Sequence, residues 1–335
     1  MQDGPLLDER TVLEYLDERG TLTTTGVTAR ELTGGVSNVA LAVGSAPEGY
    51  VVKQCLGRLK VADEWLAPRE RILAEAAALR LAAELTPGAV PDVVDVDADR
   101  FVMTIRLAPE DWADWRARLF DGRIETATGR RLGEVLARWH SGTPGGVGLP
   151  ESIRSDTHSF EALRIAPYHE TVAARHPEVA RPIRDVVDRM RNDRLCMVHG
   201  DFSPKNILVG SSAGEDVWVI DFEVAHVGDP SFDLAFLLSH LVMKAVHRPD
   251  RGVDLDAAAA AFIDAYARGA QLPSTDHLGR QVGCLLLARV DGKSPAGYLD
   301  AGQRRIVWDL GVDLLLDNPL GEISDLPLRR RRQMR

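Results

Sequence analysis

His199-Gly200-Asp201-Phe202-Ser203-Pro204-Lys205-Asn206, followed downstream by Val219-Ile220-Asp221-Phe222-Glu223, is the stretch on which the reading of this chain turns. It sets one aspartate, Asp201, one side-chain amide, Asn206, and a second aspartate, Asp221, in loops bounded by apolar runs. Cys196-Met197-Val198 leads into the first loop. Ile207-Leu208-Val209, a polar turn over 211–216 and a second apolar run lead to Asp221. Two strands linked as a hairpin would present all three side chains at one end of the pair. His-Gly-Asp alone is equally well a strand end turning on Gly200, with Asp201 bonded to its own backbone. The joint pattern shifts the balance toward chemistry.

That chemistry is phosphoryl transfer to a hydroxyl. A transferred phosphoryl group offers little covalent handle, so an enzyme must align donor and acceptor and neutralise spread charge. Magnesium takes oxygen ligands and keeps several waters, so one carboxylate and one amide oxygen, completed by ATP phosphates, make a reasonable site. Asp221 and Asn206 fit it. A carboxylate free of metal can accept the acceptor's hydroxyl proton and orient its lone pair, the role open to Asp201. His199 reads as structural, bridging the two loops.

Residues 32–43 read as strand, glycine turn, strand. Gly34 and Gly35 allow backbone amides to approach phosphate oxygens, and Ser37 and Asn38 add donors, although any hairpin uses such glycines. A third strand, Gly49-Tyr50-Val51-Val52-Lys53-Gln54, carries one of only five lysines in the chain. A compact ammonium on a strand's inner face suits the α and β phosphates of a nucleotide. The apolar spacing over 64–85 predicts a long helix bearing Glu70 and Glu75, either of which is a partner for Lys53 or a solvated glutamate.

These residues resemble the aminoglycoside phosphotransferase and choline kinase superfamily, distant relatives of the protein kinases. That family shows H-G/N-D-x-x-x-x-N, a strand ending in I-D-x-E/D, and a helix opening with F-D-L-A, which here is Phe232-Asp233-Leu234-Ala235. The resemblance implies an α+β, bilobal, protein-kinase-like fold. A small N-terminal lobe with an antiparallel sheet plus helix would occupy residues 1–104, a large mainly helical lobe 105–328, and an arginine-rich solvated tail 329–335. It implies ATP and Mg2+ as cofactors, Asp201 as catalytic base, Asn206 and Asp221 as metal ligands, and Asp233 as a buried anchor of the loop. Family spacing favours Glu75 for Lys53. It also implies adenine beside Thr104, Ile105 and Arg106, with Met103 lining the pocket or filling core. Ser203 in place of a lysine, Glu223 in place of a glycine, and no Ala-Pro-Glu after Asp221 point away from protein substrates. The tandem Arg304-Arg305, and Arg71 with Glu75, are similar to the methylthioribose kinases, where an arginine pair assists the sugar and the developing charge. For Arg304 and Arg305 a surface ion-pair role is as good a reading.

A chain of 335 residues with 45% hydrophobic content can hold one large core or two moderate ones. Its net charge of -10 argues against nucleic acid or an anionic membrane as the main partner and does not exclude a cationic substrate; the expected partner is a small-molecule hydroxyl acceptor. Cys55, Cys196 and Cys284 form neither a disulfide framework nor a zinc pattern, and no apolar run spans a bilayer, so a reducing cytoplasm is the expected setting. Helices are expected over 160–175, 179–191, 233–246, 257–268, 278–290 and 303–316. Leu287 stands where a phosphate-binding loop before Gly292-Lys293-Ser294 needs its first glycine, which removes that motif. Ser203, Glu223 and Asp229 are the acceptor-side candidates, with Asp229 also a turn residue before the Phe232 helix. The reading is a kinase for a sugar, aminoglycoside or similar polar metabolite, with a catalytically silent ATP-binding regulator of the same fold as the alternative.

Overall fold

In the amino-terminal part of the computed structural model, strands β1 (Ala29–Glu31), β2 (Asn38–Val43), β3 (Tyr50–Cys55), β4 (Val93–Asp97) and β5 (Val102–Arg106) form one antiparallel sheet in the order β1-β2-β3-β5-β4. The structure describes residues 5–21, 26–32, 38–58, 68–156, 158–211, 216–317 and 322–334. Gly34, Gly35 and Ser37, and part of the expected 64–85 helix, lie outside the described residues.

Side chains alternate across a strand, and here the alternation sorts the site. Val39, Leu41, Val43, Val52 and Val102 pack with Val12, Tyr15 and Leu16 of helix α1 (Thr11–Glu18) on one face. Cys55, Met103 and Ile105 meet Ile72, Ala76 and Leu79 of helix α2 (Arg71–Leu85) on the other. Lys53 stands opposite Met103 in the ladder and therefore lies on the α2 face. Thr104 and Arg106 share the parity of Val102. Their side chains face α1, and the Arg106 guanidinium lies 4.9 Å over the Tyr50 ring.

Beyond β5 the chain is mainly helical. Strand β6 (Ala113–Asp114) leads to α3 (Trp115–Phe120) and α4 (Thr126–Gly142), then to the short α5 (Glu151–Arg154) and α6 (His158–Phe160). A wide-pitch helical segment, Glu161–Glu170, runs into α7 (Thr171–Arg175) and is followed by α8 (Pro177–Asn192). The helix expected over 160–175 is thus continuous but widened around Pro167, which has no N–H for a regular turn. Strand β7 (Cys196–Val198) pairs with β10 (His226–Gly228), and β8 (Ile207–Val209) lies between β6 and β9 (Val217–Val219). Helices α9 (Ser231–His247), α10 (Gly252–Gly269), α11 (Thr275–Asp291), α12 (Ala301–Val312) and α13 (Leu326–Gln333) complete the fold. Helix α9 is buried almost all round and is the centre of this part, as its apolar sequence requires.

The arginine-rich terminus is not the solvated tail expected at 329–335. It forms most of α13, where Arg330 is 3% exposed and grips Asp256 of α10 at 2.8 and 3.0 Å, while Arg329 pairs with Asp313 at 3.2 Å. Carboxylates placed on α10 and just after α12 hold the arginines down. Among the described residues no helix is long and apolar enough to cross a membrane, and the three cysteines are free and buried.

Candidate active site

The loop after β7 is held by Asp233, in the first turn of α9. Its carboxylate accepts the backbone N–H groups of His199 (2.7 Å) and Gly200 (2.9 Å) and sits 3.3 Å from His140 Nε2. Burial raises the pKa of Asp233, but the bond from His140 and these contacts outweigh it and hold the group below the usual range. Gly200 has φ +77, and a Cβ there would meet the Val224 carbonyl at 2.8 Å, so the turn requires glycine. His199 bridges the two loops. The Asp201 N–H donates to His199 Nδ1 at 3.0 Å, so Nε2 carries the proton and donates to the Ile220 carbonyl at 3.1 Å. Burial lowers its pKa and keeps the ring neutral.

Asp201 is 3% exposed, and its Oδ2 lies 2.9 Å from both Arg164 Nη2 and Lys205 Nζ. Burial pushes this carboxyl up, but Arg164 and Lys205 more than reverse the effect and leave it ionised. Neither cation was singled out from the sequence. Lys205 replaces the lysine sought at Ser203: the single turn over Pro204–Asn206 folds it back onto Asp201. Arg164 comes from the wide helical segment and also bonds the Gly200 carbonyl at 2.7 Å. Ser203 itself is buried, with its hydroxyl unpartnered.

Asn206 and Asp221 flank the open end of the β8–β9 hairpin, which the Ile220 N–H closes onto the Asn206 carbonyl at 2.9 Å. Asn206 donates its amide to the Asp201 carbonyl at 3.0 Å, leaving Oδ1 as the acceptor end. Asp221 adopts φ 71, a left-handed conformation that costs a non-glycine residue energy and is held here by its surroundings. Lys53 reaches across from β3, 2.5 Å from Glu75 Oε1 and 2.8 Å from Asp221 Oδ1. Burial opposes its charge, yet the two carboxylates raise its pKa. Asp221 is raised by burial but driven well down by Lys53. Glu75, fully buried with Oε2 unpartnered, is pushed up to about 7 by burial against the pull of Lys53. Glu75, not Glu70, is thus the partner. A second tie runs beside this one: Glu223 Oε2 accepts from Arg71 Nε of α2 and Asn38 Nδ2 of β2, each at 3.3 Å.

Other expected residues lie elsewhere. Glu223 is engaged in that tie. Asp229 is 3% exposed, bonded to the Ser231 N–H at 2.9 Å and to His277 Nε2 at 2.5 Å beneath α9. Arg304 donates to the Leu299 carbonyl at 3.1 Å. Arg305, 84% exposed, stands 3.6 Å from Asp309 one turn on. Met103 and Ile105 face the Lys53 side, while Thr104 and Arg106 do not. β5 is paired on both edges, and the Arg106 and Leu107 amides bond the Asp92 and Gly49 carbonyls, so the backbone amides of this stretch are engaged through Leu107.

The chain as a whole has counterparts among known proteins. Residues 28–279 match the family described as "Phosphotransferase enzyme family". The chain belongs to that family. A methylthioribose kinase of Geobacillus thermodenitrificans is 23% identical over 228 residues, which cover 61% of this chain and 57% of that kinase. An amicoumacin kinase solved with AMP-PNP, Ca2+ and Ami superposes at TM-score 0.55, with 12% identity over 93% of this chain and 95% of that one. A Plasmodium vivax ethanolamine kinase superposes at 0.52, with 12% identity over 99% of this chain and 90% of that one. The bilobal kinase-like fold, with its antiparallel sheet and helical remainder, is therefore shared. The methylthioribose kinase match spans less than two thirds of that relative.

Proposed function

We propose that this phosphotransferase-family chain is an ATP- and Mg2+-dependent kinase acting on the hydroxyl of a small polar molecule. The observation that carries the reading is the buried chain Glu75–Lys53–Asp221, which joins the sheet to the loop after β9, itself tied through Ile220 to His199 and Asn206 of the Asp201 loop. A structural ion pair needs only one carboxylate; Lys53 has two, and Asp221 keeps Oδ2 without a partner among the described residues.

The donor set fits a hard cation. Asn206 Oδ1 and Asp221 Oδ2 are the oxygens left over, and among the described residues no group of three or more His, Cys, Asp or Glu side chains forms a protein-only metal cage. Two protein oxygens with nucleotide phosphates are what magnesium accepts. Bound there, MgATP supplies the γ-phosphoryl group, which bonds to the acceptor oxygen as its bond to ADP breaks.

The residues of the chain do the rest. Lys53, steadied by Glu75, directs its ammonium to the phosphates. Arg164 and Lys205 occupy Oδ2 of Asp201 and leave Oδ1 to take the acceptor's proton and orient its lone pair. The backbone from the Leu107 carbonyl onward, with Met103 and Ile105, receives the adenine, just past the expected Thr104–Arg106 stretch. Incubation with ATP, Mg2+ and a panel of sugars, amino sugars, hydroxy acids and amino alcohols, followed by ADP release and product mass, tests this. Asp201→Asn is expected to lower turnover by roughly a hundred- to ten-thousandfold while ATP still binds. Unchanged turnover would remove Asp201 from the reaction, and an absence of acceptor-stimulated ADP across the panel would favour the silent regulator.

A further inference from the structure

A cavity of about 300 Å³ opens beside the Asp201 loop, between that loop and helices α3, α9 and α11. Lys205 belongs to both places: it lines the cavity and holds Asp201 at 2.9 Å. From α9 comes Lys244, 2% exposed, with its ammonium 5.2 Å over the Phe120 ring and 5.5 Å over the Tyr298 ring. Arg289 enters from α11, and its only hydrogen bonds among the described residues go to the carbonyl and hydroxyl of Ser294, at 2.5 and 2.8 Å.

The charges here do not balance. Among the described residues no carboxylate comes within ion-pair distance of Lys244 or Arg289; the nearest acidic influence is Asp114, which pairs with Arg116 at the cavity edge at 3.2 Å. Arg289 Nε, His240 Nδ1 and the Tyr298 hydroxyl are buried without partners among the described residues. A buried, unpaired cation is costly, and the protein avoids it elsewhere, as Arg330 with Asp256 shows. Burial, then Arg289 and Arg116, pull Lys244 down to about 7, a strain that a bound anion would relieve. The acidic acceptor-side candidates are already engaged, Glu223 by Arg71 and Asn38 and Asp229 by His277, and Asp291 of α11 is held by Arg175 and His176.

We infer that the acceptor bears a negatively charged group, a carboxylate or a phosphate, which seats between Lys244, Arg289 and Tyr298 while its hydroxyl lies at Asp201. This deepens the kinase reading and rests on it. A choline-like or aminoglycoside acceptor would bring positive charge against Lys244 and Arg289, with Lys205 and Arg116 also in the lining. A hydroxy acid or a sugar phosphate completes their hydrogen bonds and fits the aromatic walls.

The test uses matched acceptors with ATP and Mg2+: glycerate and glycerol 3-phosphate against glycerol, ribose 5-phosphate against ribose, with choline and kanamycin as the cationic arm. Glycerate against glycerol 3-phosphate separates the two anion sources. At least one anionic member is expected to stimulate ADP release tenfold or more above its neutral match. Lys244→Met and Arg289→Met should each raise KM for that acceptor at least tenfold with KM for ATP unchanged. Calorimetric titration of the same anions without nucleotide, into the wild type and Lys244→Met, reads the cavity alone. Anion binding lost in Lys244→Met, with no turnover of any acceptor, keeps the anion site and rejects the kinase. Turnover of choline, kanamycin or a neutral sugar at higher kcat/KM than every anion keeps the kinase and overturns the anion site. Neither binding nor turnover of any anion overturns it as well.

Discussion

On the Lys53 side of Asp201 a buried ammonium lies between two carboxylates, 2.5 and 2.8 Å away; on the α9 side Lys244 is buried as deeply and faces two aromatic rings. The first arrangement is complete without a ligand, and its ion pairs fix the sheet to the helical part. The second is incomplete. Desolvated charge persists in a fold only when something repays it, and the difference assigns different tasks to the two sides. On the proposed kinase reading, the balanced side holds geometry and leaves Asp221 Oδ2 and Asn206 Oδ1 for a metal, whereas the unbalanced side is the one proposed to take an anion.

The sharpest way to break this contrast is at Asp221. Asp221→Ala removes one of the two carboxylates on Lys53 together with the proposed metal ligand, so Mg2+-dependent nucleotide binding should be lost and kcat/KM should fall roughly a thousandfold. An ATP titration in Mg2+ that matches the wild type would count against its assigned role. Arg164→Met comes next. Asp201 loses the first of the two cations that hold its pKa down, so the pKa rises, and the acid limb of the kcat/KM profile must move to higher pH. Turnover should drop roughly ten- to a hundredfold through misplacement of the carboxylate. Lower turnover with an unmoved acid limb would show that Arg164 serves only to pack the loop through Gly200.

The two sides also differ in how far they could be read beforehand. Asn206 and Asp221 flank one hairpin and Asp201 lies in the loop that leads into it, so local spacing is close to spatial spacing and the sequence pattern points to their meeting. Lys53 was visible as a rare lysine on an otherwise apolar strand, and family spacing chose Glu75 over Glu70. Register also sorts the side chains of β5. Thr104 and Arg106 fall on the α1 face because parity along β5 puts only Met103 and Ile105 beside Lys53. Arg164, Lys205, Lys244 and Arg289 come from four separate segments and converge only through tertiary packing. Arginine is so common in this chain that Arg164 and Arg289 carry no mark. Lys244 did carry one: it is a single lysine inside Leu241-Val242-Met243-Lys244-Ala245-Val246, on a helix apolar all round, where no solvated face exists to receive it. The C-terminal arginines misled in the other direction, because the carboxylates that bury them, Asp256 and Asp313, lie on distant helical turns.

A smaller effect sharpens the comparison without any substrate. Lys244 titrates near 7 in the folded protein against the ordinary 10.5, so between those values the unfolded chain binds the extra proton and stability climbs with pH. The cost of Lys244 is full below about 7 and gone above about 10.5. Lys244→Met should therefore raise Tm at pH 6.5, by about 2–4 °C for each kcal/mol recovered, and leave it nearly unchanged at pH 10. An equal shift at both pH values would mean packing, not charge, separates the variants. Smallest of all is Arg305→Ala. At 84% exposure its only ion pair among the described residues is with Asp309, an arrangement worth about 0.3–0.5 kcal/mol on a helix surface. Both kcat and the acceptor KM should stay within about twofold of wild type, in contrast to Arg289→Met. A tenfold loss at Arg305 would mean that α12 moves onto the acceptor during turnover, and the charge deficit around Lys244 would then have a second cation to count.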